Sequence, residues 1–89
     1  MLKEEIHLIF RGNVQGVGFR AKAKKIADQL HLTGYAQNLS DGSVEVSAQG
    51  NRSELIQFIE QLQMVFGKET LASQSFRPLK EEWNGFLIK

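Results

Sequence analysis

The chain has no cysteine, a single proline at Pro78, and almost no charge imbalance across its 89 residues. Without a thiol there is no disulfide scaffold, no thiolate nucleophile and no thiolate metal site. Eleven Lys and Arg against ten Asp and Glu leave a formal net charge of +1. That is too little for the overall positive field that drives nucleic-acid binding through counterion release. No apolar run approaches the roughly 18 residues of a membrane span. The opening Met1-Leu2-Lys3-Glu4-Glu5 is acidic and lacks the apolar stretch of a signal peptide. A soluble, cytoplasmic, monomeric protein is therefore expected, with neither a nucleic-acid nor a membrane partner. At this length residues 1–89 read as one domain whose single core buries roughly 60 to 65% of the unfolded surface.

What is present is a regular alternation of apolar patterns. Ile6, Leu8 and Phe10 alternate with His7, Ile9 and Arg11 at the period of a strand. Phe19, Ala23, Ile26, Ala27 and Leu30 form one stripe of a helix over 19–30, and Thr33-Gly34 supplies its stop signal. Residues 34–39 and 43–49 read as two short strands around Ser40-Asp41-Gly42, an Asp-Gly hairpin signal. Asn51 and Glu54 form a capping box for a second helix with Leu55, Phe58, Ile59 and Leu62 on its apolar stripe. A weaker alternation over 70–76 predicts a further strand, Pro78 falls in a loop, and residues 85–89 predict a short closing strand. The order is β-α-β-β-α-β with a short fifth strand. It predicts an α+β, ferredoxin-like sandwich, an antiparallel sheet with two helices on one face. That fold hosts many functions and names none of them.

The chemistry concentrates in Gly12-Asn13-Val14-Gln15-Gly16-Val17-Gly18-Phe19-Arg20, which puts three glycines and an arginine between the first strand and the first helix. Glycine lets backbone N–H groups approach a ligand unobstructed, and the start of a helix adds unpaired N–H groups and a positive dipole end. Arg20 adds a permanently charged planar fork that matches two phosphate oxygens. A basic residue in the first helical turn opposes the usual electrostatic preference by about 0.3 to 1 kcal/mol, and local conflicts of this kind mark sites. The same stretch fits a dinucleotide fingerprint from Gly16 to Ala21, with Asp41 further along, but a chain this short lacks the doubly wound sheet that fingerprint needs. A Walker A loop is excluded because no Lys-Ser/Thr pair follows Gly16. A tight turn holding no ligand would account for one or two of the glycines, not for three together with Arg20.

Two segments carry a resemblance. Gly12-x-Val14-Gln15-Gly16-Val17-x-Phe19-Arg20 and Gly34-Tyr35-Ala36-Gln37-Asn38-x-x-x-Gly42-x-Val44-x-x-x-x-x-Gly50 are similar to the two signatures of the acylphosphatase family, in order and at the usual separation. The resemblance implies hydrolysis of the carboxyl-phosphate bond of small-molecule acyl phosphates, with no cofactor and no metal. It implies that backbone N–H groups of Gly12, Asn13, Val14, Gln15, Gly16, Val17 and Gly18 bind the phosphate together with the Arg20 guanidinium. It also implies that the Asn38 amide orients the attacking water, and that inorganic phosphate is both product and competitive inhibitor. The departures are modest. Gly18 stands where the family often has an aromatic residue, Gln37 where it often has a basic one, and Gly67-Lys68 where a Gly-Pro pair is common.

Other candidates read more plainly. His7 falls on the polar face of the first strand and His31 near a helix end, neither with ligating neighbours at metal spacing. Ser40 and Asp41 belong first to a turn. Lys22, Lys24 and Lys25 form a solvated helix face, and the role of Trp83 stays open between covering the core and serving a partner. An RNA-recognition domain shares the element order, but residues 43–49 hold no aromatic side chain to stack a base. The nearest competing function is a phosphate-binding module of the same fold within a much longer carbamoyl-phosphate-handling protein, and a chain running from Met1 to a closing edge strand favours the enzyme.

Overall fold

The computed structural model describes residues 3–89, and Met1 and Leu2 lie outside the described residues. Five strands and two helices follow in the order β1 (Glu4–Phe10), α1 (Phe19–Gln29), β2 (Thr33–Asn38), β3 (Val44–Gly50), α2 (Arg52–Phe66), β4 (Leu71–Arg77) and β5 (Phe86–Ile88). The sheet order is β4-β1-β3-β2-β5. β1 pairs antiparallel with β3 and β4, and β2 pairs antiparallel with β3, as expected. The fifth strand pairs parallel to β2, with Gly34 opposite Phe86 and Ala36 opposite Ile88, and so makes the sheet mixed. Strand periodicity carries no information about which edge a last strand joins or in which direction.

Alternation sorts the two faces of the sheet. Ile6, Leu8, Phe10, Ala36, Val44, Val46 and Ala48 are all buried. They meet Phe19, Ala23, Ile26 and Ala27 of α1 and Leu55, Phe58, Ile59 and Leu62 of α2. Burial of the Phe10, Phe19, Phe58 and Phe86 side chains stabilises the fold by about 1.5 to 3 kcal/mol each. The opposite face is polar and is crossed by the segment between β4 and β5. There the Gln49 amide donates to Glu5 at 2.9 Å and to the Glu81 carbonyl, while Gln49 Oε1 accepts from the Trp83 N–H at 2.9 Å. Trp83 settles on this face against Tyr35, with ring centroids 5.2 Å apart. His7 also lies here, its Nε2 2.6 Å from Glu45 Oε2. Burial alone would raise the Glu45 carboxyl, but hydrogen bonds from His7 and Gln37 outweigh it and hold the group below the usual carboxylate range.

One helix stop signal differs from the sequence reading in an informative way, and one helix start agrees with it. α1 does not stop at Thr33-Gly34. Its C-cap is Leu30, and His31 takes the left-handed conformation at φ 59°, so Gly34 is released to lie inside β2. α2 is capped as expected, with Asn51 Oδ1 accepting from the Glu54 N–H at 3.0 Å.

Candidate active site

The loop between β1 and α1 is fastened at three points. Arg11 N–H donates to the Thr70 carbonyl at 2.7 Å, Val14 N–H donates to the Gly12 carbonyl at 2.9 Å, and the Val14 side chain is buried in the core. Phe19 closes the loop from its far end, its ring 4.8 Å from Phe10 and 4.4 Å from Phe66. Gly12, Gly16 and Gly18 adopt positive φ of 100°, 75° and 79°, which a side chain would strain. Gly18 is the N-cap of α1 and offers no side-chain acceptor. From Gln15 to Ala21, no amide donates to a backbone carbonyl among the described residues, and the first intrahelical bond is from Lys22 to Gly18 at 3.0 Å. α2 satisfies its first turn through Asn51, whereas α1 leaves its own first turn open to whatever occupies the loop.

Val14, Gly16, Gly18, Phe19, Arg20, Ala21, Asn38 and Ile88 line one concavity of about 210 Å³. Arg20 is held half-buried, its Nη1 donating to the Lys89 carbonyl at 2.8 Å. Lys89 is itself fixed: its N–H donates to Ala36 at 2.9 Å, and its ammonium sits 4.1 Å from the Tyr35 ring centre on the polar face. Asn38, exposed at the end of β2, makes no side-chain hydrogen bond among the described residues and is free to hold a solvent molecule. The hairpin beyond it is stiffened by Asp41, whose Oδ1 accepts from the Ser43 N–H and hydroxyl. These bonds lower the Asp41 carboxyl pKa. Ser40 and Asp41 are thus turn residues, in keeping with the plain reading of that tripeptide.

The nine residues expected at the site divide by position. Val14, Gly16, Gly18, Arg20 and Asn38 come together. Gly12, Asn13 and Val17 face a larger neighbouring hollow of about 530 Å³ that also contains Arg11 and Glu69. The Glu69 carboxylate makes that hollow a poorer home for a phosphate despite its size. The Val14 N–H is already committed to Gly12, so its backbone is not a free donor. Gln15 acts through its side chain: Nε2 donates to the Leu39 carbonyl at 2.8 Å and to the Ser43 carbonyl at 2.9 Å, lashing the loop to the hairpin that carries Asn38. Gln15→Met keeps the length but removes both donors. It is expected to cost about 0.5 to 1.5 kcal/mol in urea unfolding, because the Leu39 and Ser43 carbonyls each lose a second donor while keeping their backbone bonds from the Gly42 and Leu39 N–H groups. A loss below about 0.3 kcal/mol would show that water replaces the amide at no cost.

The sequence reading missed the contributions of Ile88 and Lys89. Ile88 lines the pocket and the Lys89 backbone oxygen holds Arg20 only because β5 docks parallel to β2, and no pattern in the sequence announces that pairing.

Fold and pocket together define a ferredoxin-like α+β protein with a concavity, lined by Arg20 and Asn38, at the open start of its first helix. The acylphosphatase family profile matches residues 6–83. Among curated relatives, the acylphosphatase of Caldanaerobacter subterraneus subsp. tengcongensis is 50% identical over 62 residues, covering 66% of this chain and 69% of that protein. The acylphosphatase of Ligilactobacillus salivarius is 42% identical over 84 residues, covering 91% and 92%. The crystal structure of acylphosphatase from Bacillus subtilis superposes with a TM-score of 0.80 at 31% identity, over 97% of this chain and 98% of that one. The chain belongs to the acylphosphatase family, and it is a hydrolase of acyl phosphates.

Proposed function

We propose that this chain hydrolyses acyl phosphates by holding the phosphoryl group against the free amides of residues 15–21 and the Arg20 guanidinium, while Asn38 aims water at phosphorus. The observation that carries this reading is the single concavity shared by Arg20, Asn38, Gly16 and Gly18. Water adds to phosphorus as the bond from phosphorus to the acyl oxygen breaks. That oxygen keeps the electron pair and departs as a carboxylate, and both protons of the water end on the dihydrogen phosphate product. A carboxylate leaves without needing protonation, so no general acid is required. Positioning and charge stabilisation then do most of the work of phosphoryl transfer. An amide side chain suits the water, accepting a hydrogen bond from it through Oδ1 and donating one from Nδ2 to a phosphate oxygen.

In this reading residues 1–89 act as one domain and as a cytoplasmic monomer, with inorganic phosphate competing for the pocket it leaves. The test is hydrolysis of benzoyl phosphate with phosphate as competitor. Asn38→Ala is expected to lower kcat by about 10²-fold while the phosphate inhibition constant moves less than threefold, because aligning water differs from binding the anion. A parallel loss of phosphate affinity would overturn this division of labour.

A further inference from the structure

The proposed phosphate site leaves the acyl group of the substrate unassigned, and the remaining walls of the pocket describe what fits there. Arg20 is the only charged side chain among the lining residues. Beside it stands Ile88, 46% exposed, on a three-residue strand whose alternation sends Phe86 into the core and Leu87 to the opposite face. Ala21 adds a methyl group on the α1 side. The next cation along the strand, Lys89, is turned away, with its ammonium 4.1 Å from the Tyr35 ring centre and 4.7 Å from that of Trp83. Lys24 is occupied as well, its Nζ donating to the Phe86 carbonyl at 3.0 Å and to Asp28 at 3.1 Å.

Resting on the phosphate assignment above, we infer that Ile88 is the specificity-determining residue for the acyl group, and that the preferred substrates carry an uncharged, apolar acyl chain or ring. With the phosphate seated on the loop amides and Arg20, an acyl group that reaches Ile88 removes the exposed face of that side chain from water. An acyl group bearing a second carboxylate or phosphate would instead place an anion against a branched hydrocarbon with no second cation to meet it, and would lose hydration without compensation.

The experiment compares kcat/KM for acetyl phosphate, benzoyl phosphate and benzoyl phosphate carrying a para carboxylate, using the whole chain. The unaltered protein is expected to prefer benzoyl phosphate over its carboxylated analogue by about tenfold or more. Ile88→Ala is expected to shrink the preference for benzoyl over acetyl phosphate about fivefold, in line with the loss of one apolar contact. Ile88→Lys is expected to shift the ratio of carboxylated to plain benzoyl phosphate upward by about tenfold. Ratios unchanged within twofold in both variants overturn the inference and leave the phosphate assignment standing. Equal turnover of the two benzoyl substrates by the unaltered protein overturns it too. Absence of turnover on all three substrates overturns the acyl-phosphate reading itself.

Discussion

Arg20→Lys is expected to lower kcat/KM for benzoyl phosphate by about 10² to 10³-fold, although it conserves the charge. The guanidinium has two tasks at once. One nitrogen donates to the Lys89 carbonyl at 2.8 Å, which fixes the plane of the fork, and the remaining N–H groups are free to face the pocket. A lysine ammonium is a point charge on a flexible stem. It can meet the carbonyl or the phosphate, and it cannot present two parallel donors to two phosphate oxygens. The loss corresponds to about 2.7 to 4 kcal/mol of transition-state stabilisation. Steady-state kinetics with benzoyl phosphate measure it directly, and activity within threefold of the original would remove Arg20 from the phosphate site.

Gly34→Ala should have the largest effect on the fold, with an expected loss of about 4 kcal/mol or more, at the upper end of what one substitution does. Gly34 lies in β2 at φ 139°, opposite Ala48 of β3. A Cβ built there would stand 1.9 Å from the Ser47 carbonyl oxygen and 2.8 Å from its carbon. These are backbone atoms of a central strand and cannot swing aside as the end of a side chain would. The pair of strands must part, and the N–H of Gly34 also holds the Gly85 carbonyl at 3.0 Å, so the approach to β5 is disturbed as well. Gly42→Ala makes the matched control, since at φ 92° it has nothing within 4 Å of the added carbon and isolates a conformational cost of about 1 kcal/mol. Urea unfolding of the two variants compares the terms, and a loss at Gly34 no larger than at Gly42 would mean that the sheet absorbs the methyl group.

Much of this arrangement can be read from residue patterns, because one rule governs each local choice. Ile6, Leu8 and Phe10 had to share a face, the stripe from Phe19 to Ala27 had to meet it, and Asn51 with Glu54 marked the start of α2. The loop glycines were legible for a different reason, since a tight turn into a helix needs residues that accept positive φ, and Arg20 follows them into the first turn of α1. Features that depend on distant pairing were not legible. The parallel docking of β5 brings Ile88 and the Lys89 carbonyl to Arg20 across most of the chain length. Gly34 reads both as a helix stop and as the start of the second strand, and only the strand role holds, because His31 takes the left-handed position that closes α1 while Gly34 lies against the backbone of β3. Gln15 was counted for its backbone, while its side chain ties the loop to the hairpin.

The open first turn of α1 also has a thermodynamic side. An ordinary helix start is satisfied from within the chain, as Asn51 does for α2, so its contribution to folding does not depend on the solution. For α1 the missing cap must come from outside, and any anion that binds the folded loop but not the unfolded chain adds RT ln(1 + [L]/Kd) to stability, about 2.7 kcal/mol at a hundred times its Kd. On the proposed phosphate assignment the melting point is expected to depend partly on the buffer, and product phosphate must leave before the next substrate takes over the same stabilising contacts.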